Sequence, residues 1–300
     1  MSKATGGVKR LFAPGRRRTC AHGGAASAIA ALLAACQPYP SGAQTLATRQ
    51  ATETEIHDQE LQATVATTKQ TVQLPEDRDT PRTTLLGQFD PTTNDGLAIV
   101  PKLYASRSGM YAERATLAAF KKMHAAAARE GVRLVVVSAF RSFSDQKRIW
   151  ENKWSGRTLV SGLQLSEALP DPQLRALKIL EFSSMPGTSR HHWGTDLDLN
   201  SVDVAYFKTT EGHRVYKWLE EHAPKFGFCQ TYSADRTKRP DGYGEEPWHW
   251  SYLPVASSYL TRYLATISYP DIIGFSGSDT AKAVDVIARY VEGISPACKS

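Results

Sequence analysis

Cysteine is scarce in this sequence. Four occur in 300 residues, Cys20, Cys36, Cys229 and Cys298, too few for a disulfide framework that could stand in for a hydrophobic core. Long apolar runs are scarce too. Residues 25–35 form one short stretch of small and apolar side chains, and a stretch of that length cannot cross a bilayer as a permanent helix. Net charge is missing from most of the chain. The formal total is +6, but Lys3, Lys9, Arg10, Arg16, Arg17 and Arg18 lie in residues 1–35, which hold no acidic residue; the other 30 basic residues balance the 30 acidic ones. A balanced body lacks the cationic surface that phosphate backbones demand, so nucleic acid is excluded as a partner. Internal repeats are absent as well. What is present is a hydrophobic share of 41%, that of a soluble globular protein, on a length sufficient for one domain and a tail.

The N-terminus has the form of an export segment. Arg16, Arg17 and Arg18 make a positive region ahead of the apolar stretch, as in a signal peptide. The stretch ends in Leu33-Ala34-Ala35-Cys36, which resembles the lipobox of bacterial lipoproteins. That resemblance implies a diacylglycerol group on the Cys36 sulfur, with Cys36 as the first residue of the mature chain. An ordinary cleaved signal with a chance cysteine is the alternative. Residues 1–35 are therefore expected as a lipoprotein-type signal peptide and residues 36–84, rich in Thr, Gln, Ala and Glu, as a flexible tether. Residues 85–300 are expected as the compact domain, exported, lipid-anchored in the cell envelope, facing the periplasm, and monomeric. Export leaves Cys229 and Cys298 in an oxidising compartment, where they either pair or stay as two buried thiols.

Within the compact part, helical character is expected at 111–130, with Leu117, Phe120 and His124 on one face and Gly131 as the stop. Further helices are expected at 144–154, 172–182, 213–222, 256–265 and 280–292. In 213–222 the residues Val215, Trp218, Leu219 and His222 share one face. Residues 132–137, rich in valine, form a buried strand. Helices outnumber scattered strands. The fold class is α+β, a small mixed or antiparallel sheet flanked by several helices, not a regular βαβ alternation.

The densest chemistry lies in Ser189-Arg190-His191-His192-Trp193-Gly194-Thr195-Asp196-Leu197-Asp198 and, further on, Glu246-Pro247-Trp248-His249-Trp250. Imidazoles and carboxylates are the ligands that a catalytic zinc takes, one ion per chain, with three protein ligands leaving a fourth position for water. Such a water loses its proton near neutral pH. Glu246 is not needed as a ligand and is placed to carry that proton to the leaving amine. An unbroken strand would point 191 and 198, or 246 and 249, to opposite faces. The chain must therefore bend, and Gly194 and Pro247 permit it. His124 and His222 are expected as packed helix-face histidines.

Ser189-x-His191-x-x-Gly194-x-x-x-Asp198 followed by Glu246-x-x-His249 resembles the signature of VanY-type zinc D-alanyl-D-alanine carboxypeptidases, in the wider group with lysostaphin-type enzymes and D-Ala-D-Ala dipeptidases. Ser138 to Phe143 with Gln146, and Gly227-Phe228-Cys229, extend the resemblance over roughly residues 85–293. The resemblance implies His191, Asp198 and His249 as zinc ligands, Glu246 as general base, and Arg141 as the group that stabilises the tetrahedral oxyanion. It implies substrate contacts for Ser189 and Gln146, whose plain alternatives are a turn hydroxyl and a solvent-facing helix residue. His192 and Asp196 are left as partners that orient ligands. Trp193, Trp248 and Trp250 either wall the cleft or pack in the core.

The expected activity is hydrolysis of the terminal D-Ala-D-Ala bond of peptidoglycan stem peptides. An L,D-carboxypeptidase or a murein endopeptidase on the same fold is the alternative, and a non-catalytic wall-binding lipoprotein a further one.

Overall fold

The computed structural model describes residues 80–299. The signal peptide, Cys36 and the tether up to residue 79 lie outside the described residues. A short helix, α1 (Arg82–Leu85), buries Leu85, and Arg82 holds Asp271 through two contacts of 2.8 and 2.9 Å.

Two short strands follow, β1 (Leu97–Ile99) and β2 (Tyr111–Glu113), paired antiparallel. The long helix α2 (Arg114–Arg129) therefore begins later than expected, because residues 111–113 give their backbone to β1. Glu113 also caps the helix, its carboxylate accepting from Ala115 N and Thr116 N. The valine-rich run contributes β3 (Val136–Ser138) only at its end; Val132 and Leu134 are buried but stand outside the ladder. Next come α3 (Phe143–Trp154), capped by Ser142, then α4 (Leu165–Ala168) and α5 (Pro172–Ile179). The remaining elements are β4 (Asp196–Leu199), α6 (Val204–Phe207), α7 (Thr210–His222), β5 (Phe228–Gln230), β6 (His249–Tyr252) and α8 (Leu253–Thr266). The helix expected at 280–292 is not continuous. Asp285 takes a left-handed φ of 51°, which a regular helix does not admit, and separates a 3₁₀ turn (Ser278–Thr280) from a π turn (Ile287–Val291). No helix among the described residues is long and apolar enough to cross a membrane.

The α+β class holds. The central sheet runs β3-β4-β6-β5, every pair antiparallel. Its register separates the two faces chemically. Asp198 pairs with His249, Asp196 with Ser251, and Ser251 with Cys229, so these residues share one face. Leu197, Leu199, Trp250 and Phe228 point the other way, into a core built with Phe120 and Met123 of α2 and Val215, Trp218 and Leu219 of α7. An irregularity between Val136 and Ser138 lets β3 serve both sides: Val136 pairs with Leu199 in the apolar layer, Ser138 with Asp198 in the polar one. A second core, including Leu85, Trp150, Ile179, Trp193 and Tyr263, packs elsewhere around the site. Cys229 and Cys298 are joined by a disulfide, with Cα atoms 5.6 Å apart, which ties the C-terminal turn (Pro296–Cys298) to β5.

Candidate metal centre

His191 sits in a buried 3₁₀ turn (Arg190–Trp193) that ends at Gly194, φ 70°. A Cβ there would meet Leu97 Cδ2 at 2.8 Å and Glu113 N at 2.9 Å, so a glycine is required for the chain to turn sharply into β4. The bend expected at Gly194 is therefore real. It carries Asp198 back beside His191. On the other side Glu246 precedes β6, and His249 opens it opposite Asp198. A ligand atom from each of His191, Asp198 and His249 lies within 4.8 Å of the others, and all three side chains are buried.

These donors fit zinc in detail. His191 Nδ1 is 2.8 Å from the Ala139 carbonyl, which can only accept, so that nitrogen carries the proton. Its Nε2 lone pair is then left facing Asp198 Oδ2 at 3.3 Å. His249 places Nε2 3.0 Å from Asp196 Oδ2 and turns Nδ1 toward Asp198 Oδ1 at 3.5 Å. Asp198 Oδ1 is buried without a hydrogen bond, an unsatisfied acceptor of the kind a cation resolves. Burial favours the neutral acid at Asp198, but His191, His249 and Arg141 outweigh it and hold its pKa below the ordinary value. At His249 desolvation opposes the charged form, yet Asp196 and Glu246 overcome it and raise the imidazole to about 10 in the metal-free chain.

Glu246 stands beside the ligands, almost fully buried, with Oε2 3.0 Å from His249 Nδ1. Arg141 follows β3 as expected, and its guanidinium is fixed from two sides, donating to Gln146 Oε1 and to Ser138 Oγ at 2.9 Å each. Nη2 lies 3.8 Å from Asp198 Oδ2. Gln146 is fully buried rather than solvent-facing, and its amide also donates to the Ser184 carbonyl at 2.7 Å. Both ends of that amide are engaged within the fold, so in this geometry Gln146 orients Arg141. Ser189 is buried, and its hydroxyl has no hydrogen-bond partner among the described residues.

The two orienting candidates separate. Asp196 is wholly buried, and its carboxylate gathers Arg190 Nε at 2.9 Å, Ser251 Oγ at 2.9 Å, Thr195 Oγ1 at 2.9 Å and His249. It therefore orients His249. His192 does not reach the centre. Its Nε2 accepts from Gly187 N at 3.0 Å and its Nδ1 donates to the Arg141 carbonyl at 2.6 Å. Desolvation dominates and pushes its pKa down to about 3, so the ring is a neutral brace for the backbone that carries Arg141. Trp193 and Trp250 are core residues, while Trp248 lines the cleft. His124 packs edge-on to Tyr104 and His222 lies against Trp218, as helix-face histidines do.

The ligands open onto a cavity of about 420 Å³. Three features in and behind this cavity were not anticipated from the sequence. Arg190 lies next to His191 in the chain, but only the fold reveals that it is buried on Asp196. The Tyr232 ring meets His249 edge-on, with centroids 4.9 Å apart. Lys153 and Ser183 line the cavity together. For Lys153 a signal existed: on α3 it shares a face with Gln146 and Trp150, both fully buried.

Residues 109–255 match the family described as VanY: D-alanyl-D-alanine carboxypeptidase. A D-alanyl-D-alanine carboxypeptidase of Enterococcus faecalis (strain ATCC 700802 / V583) is 29% identical over 133 residues, 44% of this chain and 45% of the relative. One of Enterococcus faecium is 34% identical over 82 residues, 27% of this chain and 25% of the relative. The chain thus spans less than half the length of these curated relatives. Among solved structures, a variant of the vancomycin-resistance D,D-pentapeptidase VanY in complex with Zn(II) aligns at 24% identity and a TM-score of 0.40, over 55% of this chain and 88% of that one. Arg141, His191, Asp198, Glu246 and His249 all fall inside the matched span, and residues 109–255 are thereby identified as a domain of the VanY family of D-alanyl-D-alanine carboxypeptidases.

Proposed function

We propose that this protein is a zinc metallopeptidase that hydrolyses the terminal D-Ala-D-Ala bond of peptidoglycan stem peptides. The observation that carries the reading is the buried convergence of His191, Asp198 and His249 beside Glu246, inside a VanY-family domain. His191 and His249 would supply one nitrogen each and Asp198 a carboxylate oxygen to a single zinc ion. Bound there, zinc would acidify a water and polarise the scissile carbonyl. Glu246, whose Oε2 lies beside His249 at 3.0 Å, is placed to accept the proton of the attacking water. It then delivers that proton to the leaving amine. Arg141 presents fixed N–H donors to the oxygen on which negative charge grows, held on that bearing by Gln146 and Ser138. Asp196 holds His249 Nε2 and so keeps the ring turned with Nδ1 toward Asp198, the nitrogen that would be available to a metal.

The same proposal places the enzyme outside the cytoplasm as a monomer, anchored through a lipid on Cys36 and facing the periplasm. Its support is the sequence around residues 16–36, and stem peptides are found in the compartment it implies. Digestion of defined muropeptides with the zinc-loaded protein, with products identified by mass, tests the activity. Loss of one terminal alanine from pentapeptides is expected. Release of no amino acid, or an undiminished rate after zinc removal, would reject it.

A further inference from the structure

Lys153 lies on the cavity-facing side of α3, half-buried, and lines the same cavity as Glu246, His191, Asp198 and His249. Its Nζ donates to Ser183 Oγ, and Ser183 is itself buried. Among the described residues, no carboxylate oxygen comes within 4.0 Å of this ammonium, and it has no other partner. Four other lysines behave differently. Lys147, Lys178, Lys217 and Lys238 each pair with an acidic residue three or four positions away. Lys153, half-buried in the cavity wall, has no such pair.

An ammonium taken partly out of water is costly unless a charge of opposite sign joins it. Desolvation and the nearby Arg141 lower the pKa of Lys153, and Glu246 offsets this only in part. The wall is also built to hold its place. Gln146, on the same helix, donates to the Ser184 carbonyl at 2.7 Å and so fixes the Ser183–Ser184 loop against α3. A fixed, partly dry ammonium with a hydroxyl beside it suits a carboxylate, one oxygen taking an N–H and the other the Ser183 O–H.

We propose that Lys153, with the Ser183 hydroxyl, forms the subsite that binds the free C-terminal carboxylate of the peptide, and so makes this cleft prefer chain ends over cross-links. The inference rests on the peptidase reading above for the identity of the peptide. It does not rest on turnover. The enzyme's preference for an exposed peptide end then comes from one cation on α3, while the hydrolytic groups come from β4, β6 and the segments before them.

The test is calorimetric binding to the full chain, zinc-loaded and carrying Glu246→Gln to prevent turnover. The probes are a diacetyl-L-Lys-D-Ala-D-Ala tripeptide and its C-terminal amide. The free acid is expected to bind more tightly, and adding Lys153→Met should weaken it by roughly 10- to 100-fold, the loss expected for a charge-assisted contact. Amide binding should stay unchanged. Lys153→Arg should restore most of the acid's affinity, and Ser183→Ala should cost the acid less than Lys153→Met. Unaltered zinc content and melting temperature guard against a folding defect. Equal binding of acid and amide, no binding of either, or an equal loss for both with Lys153→Met would overturn the subsite. If the acid binds as described yet the enzyme with Glu246 intact releases no alanine, the subsite stands and the peptidase reading fails.

Discussion

His249 Nε2 and the Asp196 carboxylate lie 3.0 Å apart, while the other nitrogen of the same ring faces Glu246 at 3.0 Å and Asp198 at 3.5 Å. The ring is thus divided between a carboxylate that aims it and the position of a metal. Asp196→Asn keeps the size of the side chain and removes its charge. Zinc affinity, measured by competition with a chromophoric chelator, should fall roughly 10- to 100-fold, the usual cost of losing a carboxylate behind a ligating histidine. Stability should also drop, because Arg190 is left buried without its counter-ion, a loss of about 3–5 kcal/mol where such pairs are broken. A well-folded variant with unchanged zinc affinity would show that Asp196 serves Arg190 alone.

Glu246→Gln separates the proton carrier from the ligands. Its carboxylate touches the His249 ring but is not one of the three converging ligand groups. Zinc content should stay at one ion per chain by the three-ligand arrangement. Turnover should fall by about two to four orders of magnitude, the range that general acid–base catalysis supplies. Loss of the metal in this variant would make Glu246 a ligand, and unchanged turnover would remove it as the base.

The converging side chains were legible because their chemistry is concentrated: two short segments carry His191, Asp198, Glu246 and His249, and Gly194 marks the bend between the first two. What the sequence does not show is which residues become cross-strand partners. The pairing of Asp198 with His249 depends on a ladder between distant segments, and periodicity within one segment carries no register between two. Burial of charge is equally hidden. Arg190 looks like an ordinary surface cation in a charged sequence, and only packing reveals it beneath Asp196; for Lys153 the helical spacing from Gln146 and Trp150 is a signal of the face, but not of the cleft it lines. The C-terminal helix expected at 280–292 failed for a local reason, since a non-glycine residue at positive φ gives no warning in a helical pattern.

The domain boundary gives a pH-dependent prediction. Arg82 and Asp271 join α1 to the turn after α8, across a span that the sequence divides between tether and domain. Desolvation alone would raise the Asp271 pKa, but hydrogen bonds from Ser268 and the Arg82 guanidinium lower it below the ordinary carboxylate value. A lowered folded pKa means stabilisation that is present above the unfolded value near 3.8 and lost as pH falls through the folded one. Arg82 is largely exposed, so its removal in Arg82→Ala should cost less than about 1 kcal/mol at pH 7. Denaturant midpoints of the two proteins should converge as the pH drops below that range. A constant difference at all pH values would assign the effect to packing of the Arg82 stem.

The disulfide should stabilise the whole domain without governing the metal. Cys229 lies in β5 and Cys298 in the last turn, 69 residues later, so the bond closes a long loop in the unfolded chain. Loop-closure entropy puts its contribution at about 4 kcal/mol. The C-terminal segment has other attachments: Ser295 N donates to the Thr231 carbonyl at 2.9 Å, and Ser295 Oγ to the same oxygen at 3.0 Å. Those contacts sit beside Tyr232, whose ring meets His249, and they survive loss of the sulfur bridge. Cys298→Ser, or reduction of the native protein, should therefore lower the melting temperature by a similar amount in each case while zinc affinity stays within a few-fold. A large drop in zinc affinity on reduction would mean that the bond, and not Ser295, holds the Thr231–Tyr232 wall in place.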